Sequence, residues 1–220
     1  MVTRPILPLQ AAAVEIDITP PVGVPMSGYA ARKGTSRGIH DPLRAGLLLL
    51  KTDENAILLV SLDLIGISID FTRQVRQAIQ QDLGVRPGSV LLTCTHTHSG
   101  PVGLVPSFPG LDDQQNPAYM HTVAEKIIGA ARWASDRLEP ARLGVSTGTL
   151  AGLGTNRNDP EAEQDRQVIV LVVESLSGEP IAAWMNYGCH PTVLGADNLL
   201  LSADYPGAAR EALNRLYPQT

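Results

Sequence analysis

Two cysteines, Cys94 and Cys189, can make at most one disulfide, and each stands beside a histidine motif with no export signal to supply an oxidising compartment. They read as free thiols. Aromatic residues are only 4% of the chain, which leaves little stacking surface. No basic run interrupts charges that sum to −5, with a pI near 5.5, so a phosphate backbone finds nothing to neutralise it and nucleic acid is excluded as a partner. Residues 1–10 hold Arg4 and apolar residues broken by Pro5 and Pro8, which is neither a signal-peptide core nor a transmembrane segment. A cytoplasmic location is the expectation. No period recurs and no low-complexity stretch occurs, so solenoids and linkers drop out. The pattern sets no oligomeric state.

Hydrophobic residues make up 44% of 220 residues, enough for one sizeable core and a single domain over residues 1–220. Residues 12–18 alternate, with Val14, Ile16 and Ile18 against Glu15 and Asp17, and predict a half-buried strand at or near a sheet edge. Residues 19–38, punctuated by proline and glycine, predict a long surface loop of the kind that lines sites. Two apolar runs at 44–51 and 56–63, separated by Thr52-Asp53-Glu54-Asn55, predict an antiparallel hairpin. Ser68 or Asp70 can cap a helix carrying Phe71, Val75, Ala78, Ile79 and Leu83, and Gly84 supplies its left-handed stop. A strand follows at 90–95.

Asn116-Pro117 opens a second helix with a broad apolar stripe from Met120 to Ala134. Strands are predicted at 141–148, 167–174 and 181–187, and a last helix from near Asp204 to about Leu216. Strand pairs joined by short turns and interspersed with helices make an α/β protein, a mixed β-sheet packed against helices. No strand follows the last helix within the chain, so an incomplete domain is expected.

The chemistry gathers in Thr93-Cys94-Thr95-His96-Thr97-His98-Ser99-Gly100, where a β-branched apolar run ends in two histidines two positions apart. In an extended strand such positions share a face, so both imidazoles enter one space. A third histidine ends another apolar run in Tyr187-Gly188-Cys189-His190-Pro191-Thr192, and the two strand ends can converge on one ion. Cys94, His96, Cys189 and His190 superficially form a closed Cys2His2 set. Neighbours Cys189 and His190 point to opposite faces of an extended chain, and Pro191 keeps His190 extended, which weighs against it.

Other residues carry less. Arg157, in Asn156-Arg157-Asn158-Asp159, can hold a carbonyl or oxyanion, but spacing alone favours a solvated loop arginine. Asp63 either orients a ligating histidine or caps a turn. His40 either reaches the site or is braced by Asp41, and His121 is an ordinary helix residue. Met26, Tyr29 and Phe108 are candidates for an apolar mouth.

Five segments, in order along the chain, resemble the neutral/alkaline non-lysosomal ceramidases in their N-terminal catalytic domain. They are Asp17-Ile18-Thr19-Pro20-Pro21-Val22-Gly23, Gly38-Ile39-His40-Asp41-Pro42-Leu43, Thr95-His96-Thr97-His98-Ser99-Gly100-Pro101, Asn156-Arg157 and Cys189-His190-Pro191-Thr192. The third is the most specific. The resemblance implies a zinc-dependent amidohydrolase that cleaves the N-acyl bond of ceramide-like lipid amides through a zinc-activated water. Carried over by position, His96 and His190 bind Zn2+, His98 transfers protons or orients, and Arg157 is an active-site arginine that steadies the oxyanion or the substrate's polar head. The family completes its zinc shell with a glutamate and a tyrosine from segments beyond the position of Thr220, and places a Gly-Asp loop after the last helix. The chain therefore corresponds to the N-terminal part of such a domain, with isolated activity in question. The competing expectations are a metal hydrolase of another amide or ester, and an inactive binding or structural module.

Overall fold

Hairpin, caps and stripes all form where local chemistry places them. In a computed structural model that describes residues 8–102 and 116–217, strands β3 (Arg44–Lys51) and β4 (Ala56–Leu62) pair antiparallel across the turn, where Thr52 N–H donates to Asn55 O at 2.8 Å. Helix α1 (Ile69–Leu83) starts where Ser68 accepts a hydrogen bond from Phe71 N and stops at Gly84, φ +68, whose N–H reaches Gln80 O. It returns the chain to β5 (Val90–Cys94), which lies parallel to β4. Helix α2 (Pro117–Ser135) is capped by Asn116, which accepts from Tyr119 N.

Strand β1 (Gln10–Asp17) runs antiparallel to β3 over its whole length. With β2 (Gly38–Ile39), β6 (Glu139–Thr149), β7 (Gln167–Ser175), β8 (Pro180–Tyr187) and β9 (Leu200–Leu201), two sheets form. The large one has the order β5-β4-β3-β1-β6-β7-β8, so β1 is its central strand and not an edge. Its alternation has a local cause: the ladder to β6 holds only Gln10 and Ala11, so Glu15 and Asp17 lie beyond it and meet solvent. The small sheet pairs β2 parallel with β9, binding the loop of residues 19–38 to the segment before helix α3 (Asp204–Leu216).

The main core lies between α1, α2 and one face of the sheet, with Val75, Ile79, Ile127, Leu58, Val60 and Leu62 all fully buried. Burial of each such side chain contributes about 1.5–3 kcal/mol. Tyr119 Oη donates to Ile18 O at 2.6 Å and Lys126 to Asp17 O at 2.7 Å, fixing α2 to the end of β1. A smaller cluster of Ala11, Leu48, Ala141 and Val173 joins the opposite face to β6 and β7. Among the described residues no helix is long and apolar enough to cross a membrane.

Candidate metal centre

Strand β5 ends at Cys94 because its ladder gives way to a turn. Thr95 N–H donates to Leu62 O and His96 N–H to Leu64 O, and His96 itself is left-handed at φ +69. The imidazoles of His96 and His98 therefore converge without an extended backbone between them. Their sides are sorted by the residues in between. Thr97 and Ser99 are fully buried, with Thr97 Oγ1 donating to Ser202 O at 2.8 Å and Ser99 Oγ accepting from Asn198 Nδ2 at 3.0 Å. The two histidines are left facing outward into one space.

His190 enters that space from the segment after β8, where His98 N–H donates to Pro191 O. The donor nitrogens of His96, His98 and His190 all lie within 4.8 Å of one another. His98 Nε2 and His190 Nε2 are 2.7 Å apart, and the His96 ring centroid is 5.3 Å from that of His98 and 4.7 Å from that of His190. His96 Nδ1 sits 2.5 Å from Ile65 O, so its N–H donates there and Nε2 is the nitrogen left free of that contact. Ile65, and not Asp63, is thus the partner of a site histidine. Asp63 is 1% exposed and accepts from Arg44 N at 2.8 Å and from Arg210 at 2.7 Å.

Burial, followed by the charges of His190, His96 and Arg32, pushes the His98 imidazole down to about 4. Burial, then His96 and Arg157, also lowers His190. Both effects favour the neutral, lone-pair form that coordinates a cation. The donor set fits zinc: the imidazoles of His96 and His190, the first oriented by Ile65 O, supply two nitrogen ligands and leave further positions open, with His98 beside them. A tetrahedral ion bound at about 2.0–2.1 Å holds its nitrogens roughly 3.3 Å apart, within the spread of these rings. His98 is a full geometric member of the cluster alongside His96 and His190.

The long loop forms one wall. Gly28, φ +101, passes so close that a Cβ there would lie 2.5 Å from His98 Cβ. Tyr29 meets the His98 ring edge-on at 4.9 Å, and Arg32 lies over Tyr29 at 5.0 Å while donating to Ser27 O and Asn198 O. Met26 is buried instead of lining a mouth, and Phe108 lies outside the described residues. Arg157 is exposed, near enough for its charge to depress His190, in a turn that Asn156 braces by accepting from Asn158 N and Asp159 N.

His40 and His121 stay out of the cluster. His40 Nδ1 pairs with Asp41 at 2.7 Å, so it is the braced alternative that forms, and His121 is exposed on α2. Cys94 is half-buried, and its thiol is pushed up to about 12 by desolvation and by Asp63, which leaves it no thiolate character. The Cys2His2 set does not assemble; among the described residues the close group of potential ligands is His96, His98 and His190. Gly28, Arg32 and Asp204 went unmarked by the sequence, because each acts through a loop contact between distant segments.

The family model described as "Neutral/alkaline non-lysosomal ceramidase, N-terminal" matches residues 11–218. Neutral ceramidase A of Dictyostelium discoideum is 31% identical over 88% of this chain, and neutral ceramidase B of the same organism 29% identical over 84%. The crystal structure of neutral ceramidase from Pseudomonas aeruginosa superposes with a TM-score of 0.86 at 25% identity, covering 97% of this chain and 37% of that one. The chain spans 30% of the length of the first Dictyostelium relative. With an ordered sequence match along nearly all its length and the same fold, the chain belongs to the neutral/alkaline non-lysosomal ceramidase family, matching its N-terminal region.

Proposed function

We propose that this chain contributes the histidine-bearing part of a zinc-dependent hydrolase of the N-acyl amide in ceramide-like lipids. The observation that carries the reading is the convergence of His96, His98 and His190 in a chain of this family. His96 and His190 would hold the ion, His96 oriented by Ile65 O. Zinc at such a position supplies Lewis acidity and lowers the pKa of a water to about 7.

The chain's own residues do the remaining work. His98 Nε2, 2.7 Å from His190 Nε2, accepts a proton and delivers it toward the leaving amine. Arg157 presents a planar fork of donors on an exposed turn, suited to the amide oxygen as negative charge develops there or to the polar head of the substrate. Gly28 and Tyr29 close over His98 and limit water on that side.

The test is zinc content by elemental analysis together with fatty-acid release from short and long N-acyl sphingoid substrates. Bound zinc with release from the long-chain substrate supports the reading. Zinc with hydrolysis of only other amides or esters moves the substrate class. A second reading, a binding or structural module, predicts neither bound zinc nor thermal stabilisation by added zinc.

A further inference from the structure

His190 is carried by residues 188–199, which have no regular structure between β8 and β9, so nothing in the sheet itself sets where its ring points. Two adjacent residues at the start of α3 fasten this segment on both sides of the histidine. Tyr205 Oη donates to Cys189 O at 2.6 Å, immediately before His190. The Asp204 carboxylate accepts from Val193 N at 3.3 Å and Leu194 N at 3.0 Å, three and four residues after it. Asp204 is 7% exposed, so these bonds form out of solvent.

The same turn holds the other two histidines. Thr97, between them, donates to Ser202 O, and Ser202 N donates to Ser99 O. Ser202 Oγ accepts from Asp204 N at 2.9 Å and donates to Asp41, which also accepts from Ala203 N at 2.8 Å. Residues 202–205 are therefore the common anchor of both histidine-bearing segments.

Ordinary helix capping does not explain Asp204. The N-cap position of α3 is Ala203 and makes no side-chain cap bond, and within the helix the Asp204 carboxylate takes only Tyr205 N at 2.7 Å. Its other bonds go outward, to the His190 segment. Asp204 is also left-handed at φ +59, and the one other non-glycine residue with positive φ among the described residues is His96. Aspartate tolerates that region better than most residues, yet it persists only where surrounding contacts enforce it.

We propose that Asp204 and Tyr205 are positioning residues for His190, setting its imidazole against His98 and His96. The role rests on the reading that these imidazoles hold a metal, but the geometry it explains is present in the chain itself.

Asp204→Asn keeps size and left-handed tolerance while removing one acceptor, and Tyr205→Phe removes only the hydroxyl. Two readouts apply to wild type and both variants. One is the proton–proton Overhauser contact between the His98 and His190 rings in metal-free protein, and the other is the zinc dissociation constant by chelator competition. Expected are unchanged amide shifts in β3, β4 and β5 and loss or strong weakening of the ring contact in both variants. Zinc affinity should fall roughly 10- to 100-fold for Asp204→Asn, the range for groups that orient ligands, and by less for Tyr205→Phe.

Retained ring contact with zinc affinity within twofold in both variants overturns the proposal. If Asp204→Asn does not fold, Tyr205→Phe alone decides by the same criteria. If wild type binds no zinc, the metal reading fails by itself, while the ring contact still decides the positioning role: its loss in the variants supports it, and its retention overturns it.

Discussion

His98 Nε2 and His190 Nε2 face each other across 2.7 Å although the residues are 92 positions apart. Two lone pairs cannot share that distance unattended; a proton or a cation must lie between or beside them. With both imidazoles shifted toward the neutral form, the N–H of one Nε2 can donate to the other, which ties His98 to His190 directly.

The three histidines should separate under substitution. His96→Ala and His190→Ala are expected to abolish stoichiometric zinc, measured by elemental analysis after dialysis. His98→Ala should retain zinc with weakened affinity, and in a catalytically active full-length enzyme should lower kcat by about 10²- to 10⁴-fold, the scale of a lost proton-transfer group. Complete zinc loss in His98→Ala would instead make His98 a ligand.

Gly28 and Gly34 provide a matched comparison. Both have positive φ, +101 and +96, but only a Cβ at Gly28 meets His98; nothing lies within 4 Å of the other. Gly34→Ala should cost only backbone strain, about 1–3 kcal/mol. Gly28→Ala adds overpacking of about 1–3 kcal/mol and displaces His98. Urea denaturation and zinc affinity should show the second substitution losing on both counts and the first on stability alone.

Acid should weaken the metal-free chain partly through His98. Its pKa is about 4 folded and near 6.5 unfolded, so between those values the unfolded state binds more protons. The contribution to stability is present above pH 6.5, fades as pH falls toward 4, and changes no further below that. His98→Gln should therefore show a shallower fall of the urea midpoint between pH 6.5 and 4 than wild type. Equal slopes in the two proteins would contradict it.

Removing Arg210 should cost more than a surface ion pair does. The carboxylate it meets at 2.7 Å, Asp63, is 1% exposed, so Arg210→Ala strands a buried charge. A loss of about 3–5 kcal/mol is expected by chemical denaturation, with a smaller loss when Asp63→Asn is added, because the stranded charge is then gone.

The parts of this fold that are local in chemistry are legible in the sequence. Ser68, Gly84, Asn116 and Pro117 set helix ends through groups within four residues of themselves, and the four-residue turn at 52–55 sets its own hairpin. The mixed sheet and the histidine pair are legible for the same reason. The central place of β1 is not, because alternation reports exposure along a strand and not the length of the ladder beside it. His96 adopts a left-handed turn that the period-2 reading of His96 and His98 does not contain, yet buried Thr97 and Ser99 leave both rings on one side. Arg157 reads as solvated by spacing, and its exposed place near His190 depends on a loop whose path is set by the sheet.

The small β2–β9 ladder has a consequence in time. The neighbouring bond from Ala203 N to Asp41 spans 162 positions, and closing a chain loop of that size costs about 4–5 kcal/mol in entropy before any contact repays it. Contacts of such separation form slowly. During synthesis β3, β4, α1 and β5 can associate as soon as they emerge, whereas the histidine cluster must wait until residues 200–205 have left the ribosome. The order of emergence thus makes the centre a late event in folding, closed by tethers between segments distant in the chain.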